Sequence, residues 1–305
     1  MMPAPRMRYE GAARRRGRQL RRFAEAATIP AARGAAIVPT FWWDGHPNFG
    51  DDLTPWLLPR YGVVPQYSEP RHADLIGVGS LLEFLTDSHQ AAIWGAGLME
   101  DRAHPLPRVT VLAVRGPLTA ERIGVTKEPA YGDPGILVSR HLPRPSNDER
   151  VAVVPHGHHR GNADLTAMLV ADADRVNVIN VHQRAVAAIR DIARSSVVLT
   201  TSLHGLITAD SYGIPAVWTT LDPPLTGGDF KFRDYEAVVT PGRTRFRAFI
   251  PGVSLDDMVA DAWAADPERV RIVADGVERA IVGFRAGAQS YPRFPAGMAR
   301  AVLRR

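Results

Sequence analysis

Short apolar runs alternate with helical patterns along most of this chain. In its first half, the runs at 74–79, 91–95 and 110–116 are continuous in apolar residues and carry glycine at or near their ends. Such runs are typical of parallel strands that are buried on both faces of a sheet. Three further segments complete the alternation, namely a strand at 35–38 and helices at 52–61 and 116–124. The first half therefore predicts an α/β unit.

The same alternation restarts after a segment at 139–150 that is rich in Pro, Arg, Ser and Asn and has no periodicity. We interpret that segment as a linker between domains. The second half predicts strands at 151–154, 176–180, 196–201 and 215–218, and helices at 162–170, 183–195, 254–264 and 267–284. Two α/β domains that face a cleft follow from this pattern, at 35–145 and at 146–305, with the C-terminal helices in the second.

Composition narrows the function classes. A chain of 305 residues is long enough for two domains, and 45% hydrophobic with 23% charged residues is ordinary for a soluble protein. Without cysteine the chain has no disulfide, no thiolate nucleophile and no thiolate metal site. No apolar run reaches membrane-spanning length and no signal-peptide pattern opens the chain, so we expect a cytoplasmic protein.

The basic excess of the chain gathers at its two ends. The net charge is +5 and the pI is about 9.9. The clustered arginines are Arg14, Arg15, Arg16, Arg18, Arg21 and Arg22 at the start, and Arg300, Arg304 and Arg305 at the end. We interpret residues 1–34 as a disordered basic tail; the alternative is peripheral contact with anionic lipids at the inner membrane face. Nucleic acid is not an expected partner, because no nucleic-acid-binding signature is visible.

The stretch Ser202-Leu203-His204-Gly205 carries the strongest chemical signal. It follows the apolar, β-branched run 196–201 and precedes one or two helical turns that end before Gly213 and Pro215. His204 is therefore expected at a strand-to-helix turn, where free backbone N–H groups attract anions and open α/β sheets bind ligands. A histidine there can also move a proton near neutral pH. The alternative is a histidine that caps the turn without chemistry.

Three polar sites follow strands of the first half. Asn48-Phe49-Gly50-Asp51-Asp52 precedes a helix, so Asn48 and Asp51 bind sugar hydroxyls, or Asp51 caps that helix. Arg115 ends a strand and is expected to reach the cleft as a donor to carboxylate or phosphate; the alternative is an ion pair with Asp133 or another local carboxylate. Asp133, within a Gly-Asp-Pro-Gly turn, acts as a base, orients a histidine or shapes the turn.

The second half adds two further loops. His156, His158, His159 and Arg160 crowd the end of the strand at 151–154, where we expect polar contacts to substrate rather than a metal. The segment 227–232 predicts a flexible loop that carries Lys231 towards the cleft, or an ordinary surface loop. Gly77-Val78-Gly79 is weak evidence for a dinucleotide site, because the third glycine is missing.

Taken in order, these pieces resemble the polysaccharide pyruvyl transferase family, especially its short members that act on exopolysaccharide precursors. The resemblance spans roughly residues 36–240. The matching motifs are Asn48-Phe49-Gly50-Asp51, Gly77-Val78-Gly79-Ser80, Gly95-Ala96-Gly97, Val114-Arg115-Gly116-Pro117-Leu118-Thr119, Gly132-Asp133-Pro134, Pro155-His156, Ser202-Leu203-His204-Gly205 and Lys231-Phe232-Arg233-Asp234-Tyr235. Their order, more than any single motif, is specific.

The resemblance implies two Rossmann-like domains facing a cleft, as in GT-B glycosyltransferases. It also implies phosphoenolpyruvate as donor and a sugar or lipid-linked oligosaccharide as acceptor, joined as a cyclic pyruvate ketal. In the family, an arginine that matches Arg115 and the histidine that matches His204 are tied to the donor. Many relatives carry an arginine where this chain has Ser202, so Lys231 or Arg160 takes its place, or the donor differs.

The chemistry of a ketal assigns roles to these residues. His204 is the expected general acid towards the enol methylene. Arg115 and the helix N-terminus after Ser202 are expected to hold carboxylate and phosphate, and Asp51 or Asp133 is the candidate base. No metal or other cofactor is needed in this scheme. The expected substrate contacts are Asn48, Gly50, Ser202, Leu203, Gly205, His156, Arg160 and Lys231.

Two other functions compete with this interpretation. One is a GT-B glycosyltransferase that uses a sugar nucleotide, which shares the fold and differs in donor. The other is a non-catalytic relative that binds a glycan or an anion, for which Ser202 is the best support.

Overall fold

The computed structural model describes residues 12–45 and 47–299, with side chains from residue 16 onward. Six parallel strands form the first sheet, in the spatial order β2-β1-β3-β4-β5-β6. They are β1 (Ala36–Phe41), β2 (Val63–Tyr67), β3 (Leu75–Ile76), β4 (Ala92–Trp94), β5 (Thr110–Val114) and β6 (Ala130–Tyr131). The apolar runs of the first half are thus confirmed as buried parallel strands.

Four parallel strands form the second sheet, in the spatial order β10-β9-β7-β8. They are β7 (Val151–Val154), β8 (Val176–Val178), β9 (Val197–Thr200) and β10 (Ala216–Trp218). The central pair is in register from Val151 opposite Val197 to Val154 opposite Thr200. The predicted α/β class with parallel sheets is therefore confirmed in both halves of the chain.

The two sheets repeat one strand order. In each, the second strand lies outside the first, and the third and fourth lie on the first strand's other side. The direction of winding therefore reverses between β1 and β3 in the first sheet and between β7 and β9 in the second. Loops that leave the carboxyl ends of strands at such a switch point diverge and leave room for a ligand.

Nine helices complete the described part of the chain. They are α1 (Ala12–Ala27), α2 (Leu53–Leu57), α3 (Pro117–Ile123), α4 (Ala163–Val170), α5 (Ala185–Ala193), α6 (Leu203–Ser211), α7 (Phe230–Val239), α8 (Leu255–Val259) and α9 (Pro267–Gly287). Their ends follow local rules: Gly124 ends α3 in the left-handed conformation, and Asn162 caps α4 by accepting a hydrogen bond from the Leu165 N–H. Of the segment 139–150, which the sequence analysis interprets as a linker, 143–150 has no helix or strand, whereas residues 139 and 140 belong to the 3₁₀ helix Pro134–Arg140.

Helix α1 corrects the prediction of a disordered tail over 1–34. Its Phe23 and Ala26 are buried in a small cluster against Ile37 and Val64 of the first sheet. Its Gln19 side chain donates to the carbonyl of Pro65 at 3.2 Å and accepts from the N–H of Tyr67 at 2.9 Å, both in edge strand β2. Burial of the apolar face of α1 thus stabilises the ordered helix. Residues 1–11, with the tail's first part, lie outside the described residues.

Helix α9 corrects the domain boundary. The sequence assigns 267–284 to the second domain, yet α9 packs against the first sheet, where the Trp94 indole donates to the carbonyl of Val277 at 3.0 Å. The chain then continues along β1, with the N–H of Ile37 donating to the carbonyl of Pro292 at 2.8 Å. One buried cluster also joins residues from both sheets, including Val38 and Val154. The two halves therefore share a core.

We expect Phe23→Ala to lower the free energy of unfolding by about 3 kcal/mol, because it removes a buried ring from the cluster under α1. Leu20 lies on the same helix with 56% of its surface exposed, so Leu20→Ala should change stability by less than about 0.5 kcal/mol. Urea unfolding of the two variants compares them directly. Equal, small effects would mean that α1 does not pack on the sheet.

Candidate functional site

The candidate site lies where loops from both sheets meet. Asp51 follows β1, Asp133 follows β6, and His204 lies in the first turn of α6, directly after β9. The backbone N–H of Phe49 donates to the carbonyl of Val181 at 2.8 Å, which ties the loop after β1 to the loop after β8. The switch points of both sheets therefore open onto one region.

A glycine allows this close approach. A Cβ atom at position 50 would lie 2.1 Å from Nδ1 of His204, so any larger residue there would collide with the imidazole. The turn around Gly50 is held by Asn48, whose side-chain oxygen accepts the Gly50 N–H at 3.1 Å. The structure thus gives Asn48 a turn-forming role that the sequence analysis did not assign.

His204 faces a buried carboxyl with its other nitrogen. Its Nε2 lies 3.7 Å from Oδ2 of Asp133, which is longer than a hydrogen bond. The second oxygen of Asp133 accepts the Gly135 N–H at 2.8 Å. Within the described part of the chain, both Nε2 and Oδ2 are buried without a hydrogen-bond partner. The ring also meets the edge of Phe49 with 6.1 Å between centroids. Asp133 is thus placed beside the ring nitrogen that is free of other partners among the described residues.

Asp51 is the second carboxyl near this histidine. Burial raises the pKa of the Asp51 carboxyl to about 7, while the nearby charges of His204 and Lys231 oppose that rise. Asp51 also contacts the loop after β3, since a Cβ at Gly79 would lie 3.2 Å from its Oδ1. A carboxyl that titrates near neutral pH can both accept and release a proton under ordinary conditions.

Lys231 lies in the first turn of α7, so the prediction of a flexible loop over 227–232 is wrong from Phe230 onward. Buried rings stabilise the helix on two sides, since Phe230 packs in a cluster of the first sheet and Phe232 and Tyr235 pack in the cluster that joins both sheets. Burial lowers the pKa of the Lys231 ammonium to about 8; the cation of Arg115 acts in the same direction and Asp51 opposes it. The nearby Asp51 carboxylate thus favours the charged form of Lys231.

Arg115 is not exposed to the site. Its side chain is fully buried and donates from Nε to Oδ2 of Asp234 at 2.9 Å and from Nη1 to Ser80 at 2.8 Å. Its Nη2 donates to the carbonyl of Leu98 at 2.5 Å. The expectation that Arg115 reaches the cleft is therefore wrong, and the ion-pair alternative holds with Asp234 in place of Asp133. A buried guanidinium needs such saturation of its donors.

The polar residues in the loop after β7 lie in different environments. His159 is buried between the Thr201 hydroxyl at 2.9 Å and the carbonyl of Pro223 at 3.0 Å, which leaves neither ring nitrogen for a substrate. His156 is partly buried; burial, followed by the charge of Lys231, lowers its pKa to about 3. His156 is therefore a neutral group next to Lys231. Arg160 is exposed and lines a separate groove along α4 and β8, so the structure does not bring it to the cluster.

The start of α6 supplies backbone donors. Ser202 caps the helix without a side-chain hydrogen bond to its first turn, and the N–H of Ser202 donates to Thr200 at 2.8 Å. The Leu203 side chain is buried in the core, and Gly205 packs on Thr200 and Val154. In the described residues the N–H groups of Ser202 and Gly205 are already bonded, to Thr200 and to the Ser202 carbonyl. The backbone donors left for a ligand at the start of α6 are therefore the N–H groups of Leu203 and His204.

The structure thus brings together Asp51, Asp133, His204, Lys231 and His156, and separates Arg115 and Arg160 from them. It adds Asp234, Ser80 and Thr119, which hold Arg115, and for which the sequence analysis assigned no role. One signal for Asp234 was available: a buried arginine needs a carboxylate, and an aspartate lies three residues after Lys231.

No group of three His, Asp or Glu side chains in the described residues is arranged to hold a metal ion. None of the helices in 12–45 and 47–299 is long and apolar enough to span a membrane.

Comparisons with known proteins place this site in a family context. Residues 32–223 match the family model described as polysaccharide pyruvyl transferase. The chain is 31% identical over 261 residues to the succinoglycan biosynthesis protein ExoV of Rhizobium meliloti (strain 1021), covering 78% of this chain and 79% of that protein. It is 28% identical over 124 residues to the uncharacterized protein L143 of Acanthamoeba polyphaga mimivirus, covering 39% and 42%.

Two solved structures show weaker similarity. An uncharacterized protein of Klebsiella pneumoniae matches with a TM-score of 0.40 at 14% identity, covering 76% of this chain and 98% of that chain. The glycosyltransferase SnogD of Streptomyces nogalater matches with a TM-score of 0.31 at 14% identity, covering 75% and 72%. At these TM-scores neither structure defines the fold or the chemistry of this chain.

The raised pKa of Asp51 predicts a stability that depends on pH. With a folded-state pKa of about 7 against an ordinary value of 3.8, the folded protein holds the proton that the unfolded chain loses first. Stability is therefore lost as pH rises through that range. Because asparagine cannot ionise, we expect Asp51→Asn to be more stable than wild type at pH 8, by on the order of 2 kcal/mol, and equally stable near pH 4. Urea unfolding at both pH values measures this difference.

The matched control is Asp261→Asn, which removes a highly exposed carboxylate and should leave stability nearly unchanged at both pH values. An equal gain for Asp51→Asn at pH 4 and pH 8 would contradict the assignment of the effect to ionisation.

Proposed function

Because this chain belongs to the polysaccharide pyruvyl transferase family, we propose that it moves the pyruvyl group of phosphoenolpyruvate onto two hydroxyls of one sugar. The product is a cyclic pyruvate ketal on a polysaccharide or lipid-linked glycan precursor, and inorganic phosphate is released. The arrangement of two parallel sheets around the site supports a GT-B-like organisation of two Rossmann-like units, which belongs to the same proposal.

One observation carries the proposal. His204 has Asp133 at 3.7 Å from its Nε2, while its Nδ1 faces Gly50, next to Asp51 in the chain. A histidine between a buried carboxyl and a carboxyl that titrates near pH 7 suits a reaction that both delivers and removes protons. Ketal formation from an enol phosphate and two hydroxyls is such a reaction.

The donor has two anionic groups, and the site offers two kinds of anion contact. In the described residues, the Lys231 ammonium has the Phe232 ring at 5.7 Å and neither a hydrogen bond nor an ion pair, which leaves its three donors for a carboxylate or a phosphate. The N–H groups at the start of α6 are the second contact. Lys231 thereby takes the place of the arginine that many relatives carry at position 202.

The proton transfers follow from these positions. His204 donates a proton to the enol methylene, which becomes the methyl group of the ketal, and Asp133 stabilises the imidazolium beforehand. One sugar hydroxyl adds to the central carbon and gives its proton to Asp51. Phosphate then leaves, the second hydroxyl adds to the same carbon, and its proton completes the released phosphate. The proton on Asp51 passes to His204 and restores both groups. The two hydroxyl protons thus account for the new methyl hydrogen and the phosphate proton.

The acceptor and the cellular site remain parts of the proposal. A relative described as acting in succinoglycan biosynthesis supports an exopolysaccharide precursor as acceptor. Cytoplasmic localisation, with peripheral contact at the inner membrane face through the basic N-terminus, is proposed from the sequence. Within α1, however, Arg18 and Arg22 are already paired with Asp44, so membrane contact would fall to other arginines.

We expect phosphoenolpyruvate at saturating concentration to raise the melting temperature by about 2–4 °C, since a ligand that binds only the folded state stabilises it. Lys231→Met should lose most of this shift because it removes the proposed contact to the donor's anionic groups. Lys127→Met is the matched control, since Lys127 is exposed. Thermal unfolding of the three proteins measures the effect.

A panel of sugar nucleotides in the same assay separates this proposal from its rivals. A shift with a sugar nucleotide and none with phosphoenolpyruvate would indicate a glycosyltransferase and contradict the proposed donor.

We expect His204→Gln to lower kcat by about 10²–10⁴-fold, because glutamine cannot donate a proton to carbon. The shift by phosphoenolpyruvate should persist, since binding rests on Lys231 and the α6 backbone. His158→Gln, at an exposed histidine, should keep wild-type turnover. The measurement is release of inorganic phosphate in the presence of a pool of glycan precursors. Turnover of His204→Gln within tenfold of wild type would show that another group is the acid.

A further inference from the structure

Lysine is rare in this chain. Of its 37 lysine and arginine residues, only Lys127 and Lys231 are lysines. Arginine cannot be deprotonated in proteins, whereas a buried lysine changes its charge readily. Lys231 is therefore a cation whose charge depends on where its ammonium lies.

Helix α7 carries Lys231 in its first turn. One turn later, Asp234 is bonded to residues that follow strand β5 of the first sheet. Asp234, fully buried, accepts hydrogen bonds from Nε of Arg115 at 2.9 Å, from the Thr119 N–H at 2.9 Å and from the Thr119 hydroxyl at 2.6 Å. Both carboxylate oxygens are therefore engaged. Residues three apart on a helix share a face, so Lys231 and Asp234 point to the same side of α7.

The same segment is also fixed to the helix that carries His204. The Tyr235 hydroxyl donates to Asp210 of α6 at 2.9 Å, and Glu236 accepts from Nε of Arg245 at 3.0 Å. Arg245 in turn pairs with Asp210. Three consecutive side chains thus hold α7 between the two halves, and rotation of the helix would break bonds on both sides.

The backbone of α7 also lies close to the main chain at the start of α3. A Cβ atom at Gly116 would lie 2.0 Å from the Asp234 carbonyl oxygen, so α7 contacts the main chain directly where α3 begins. Arg115, the residue before this glycine, has Ser80, Leu98 and Asp234 as partners. Its guanidinium therefore acts on the site through α7.

We infer that Arg115 and Asp234 are positioning residues: their buried ion pair sets the rotation of α7 so that Lys231 faces Asp51. This inference rests on the proposed function in one respect, namely the identity of the anion that Lys231 binds. The four charged or titratable groups that act on Lys231 or are acted on by it are Asp51, Arg115, His156 and His159.

The test measures Lys231 itself. Reductive methylation with ¹³C-formaldehyde labels both lysines, and Lys127→Arg assigns the signal of Lys231 in the NMR spectrum. In Asp234→Asn we expect Lys231 to titrate about one pH unit higher than in the wild-type chain, because the released side chain returns towards solvent. If Lys231 stayed in place, the unpaired Arg115 would lower its titration point; an unchanged or lower value overturns the inference.

A double-mutant cycle gives the second measurement. We expect Asp234→Asn to weaken phosphoenolpyruvate binding about tenfold in a calorimetric titration, and to weaken it no further when Lys231 is already Met. A contribution independent of Lys231 would add in the double variant, and that outcome also overturns the inference. Asp261→Asn, which breaks an exposed ion pair with Arg247, is the matched control and should match wild type in both assays.

Thr119→Val covers the case in which Asp234→Asn does not fold. It removes the 2.6 Å hydrogen bond to Asp234, together with the bonds that the hydroxyl accepts from the Leu98 N–H and from Nη2 of Arg115, and leaves the ion pair. The same rise of the Lys231 titration is therefore expected at smaller size. The two proposals fail separately. Absence of phosphoenolpyruvate binding to wild type would contradict the proposed donor, while the NMR titration still decides the positioning of Lys231.

Discussion

The approach of the His204 ring to the backbone of Gly50 is the contact on which the site depends. It brings the switch point of one sheet to that of the other, and it requires a residue without a side chain at position 50. The placements of two carboxyl groups follow from it. Asp51 comes next in the chain after that glycine, and Asp133 meets the far nitrogen of the same ring. The shared core beneath, with Val38 and Val154 in one cluster, holds the two loops at this distance.

Two kinds of buried charge surround this contact, and they differ in what they contribute. The donors of Arg115 and Arg245 are engaged by carboxylates and, for Arg115, by neutral acceptors as well, so these residues fix helices although their burial costs desolvation. Asp51 and Lys231 are not saturated by partners of the described chain, and burial moves both of their pKa values towards neutrality. Fully paired charges thus hold the helices in place, whereas incompletely paired charges have pKa values near neutral pH.

The parts of this arrangement that local sequence dictates could be predicted. Continuous apolar runs marked most of the strands, and Ser202–Gly205 after such a run placed His204 at the start of a helix. Strand β2 was missed because Pro65 and Gln66 interrupt its apolar run. Helix α7 was missed because Gly227 and Gly228 precede it. What could not be predicted depends on distant residues: the partner of Arg115 lies 119 positions away, and an amphipathic pattern does not say which sheet α9 covers.

The hydrogen bonds of Gln19 have a consequence for the whole molecule. Strand β2 is an edge strand, and an unpaired edge is a template on which another chain can add a strand. The amide of Gln19 donates to one backbone group and accepts from another, as a residue of a neighbouring strand would. Together with Pro65, which has no N–H to offer, it closes this edge against self-association. The arginine-rich helix therefore also protects the protein from aggregation.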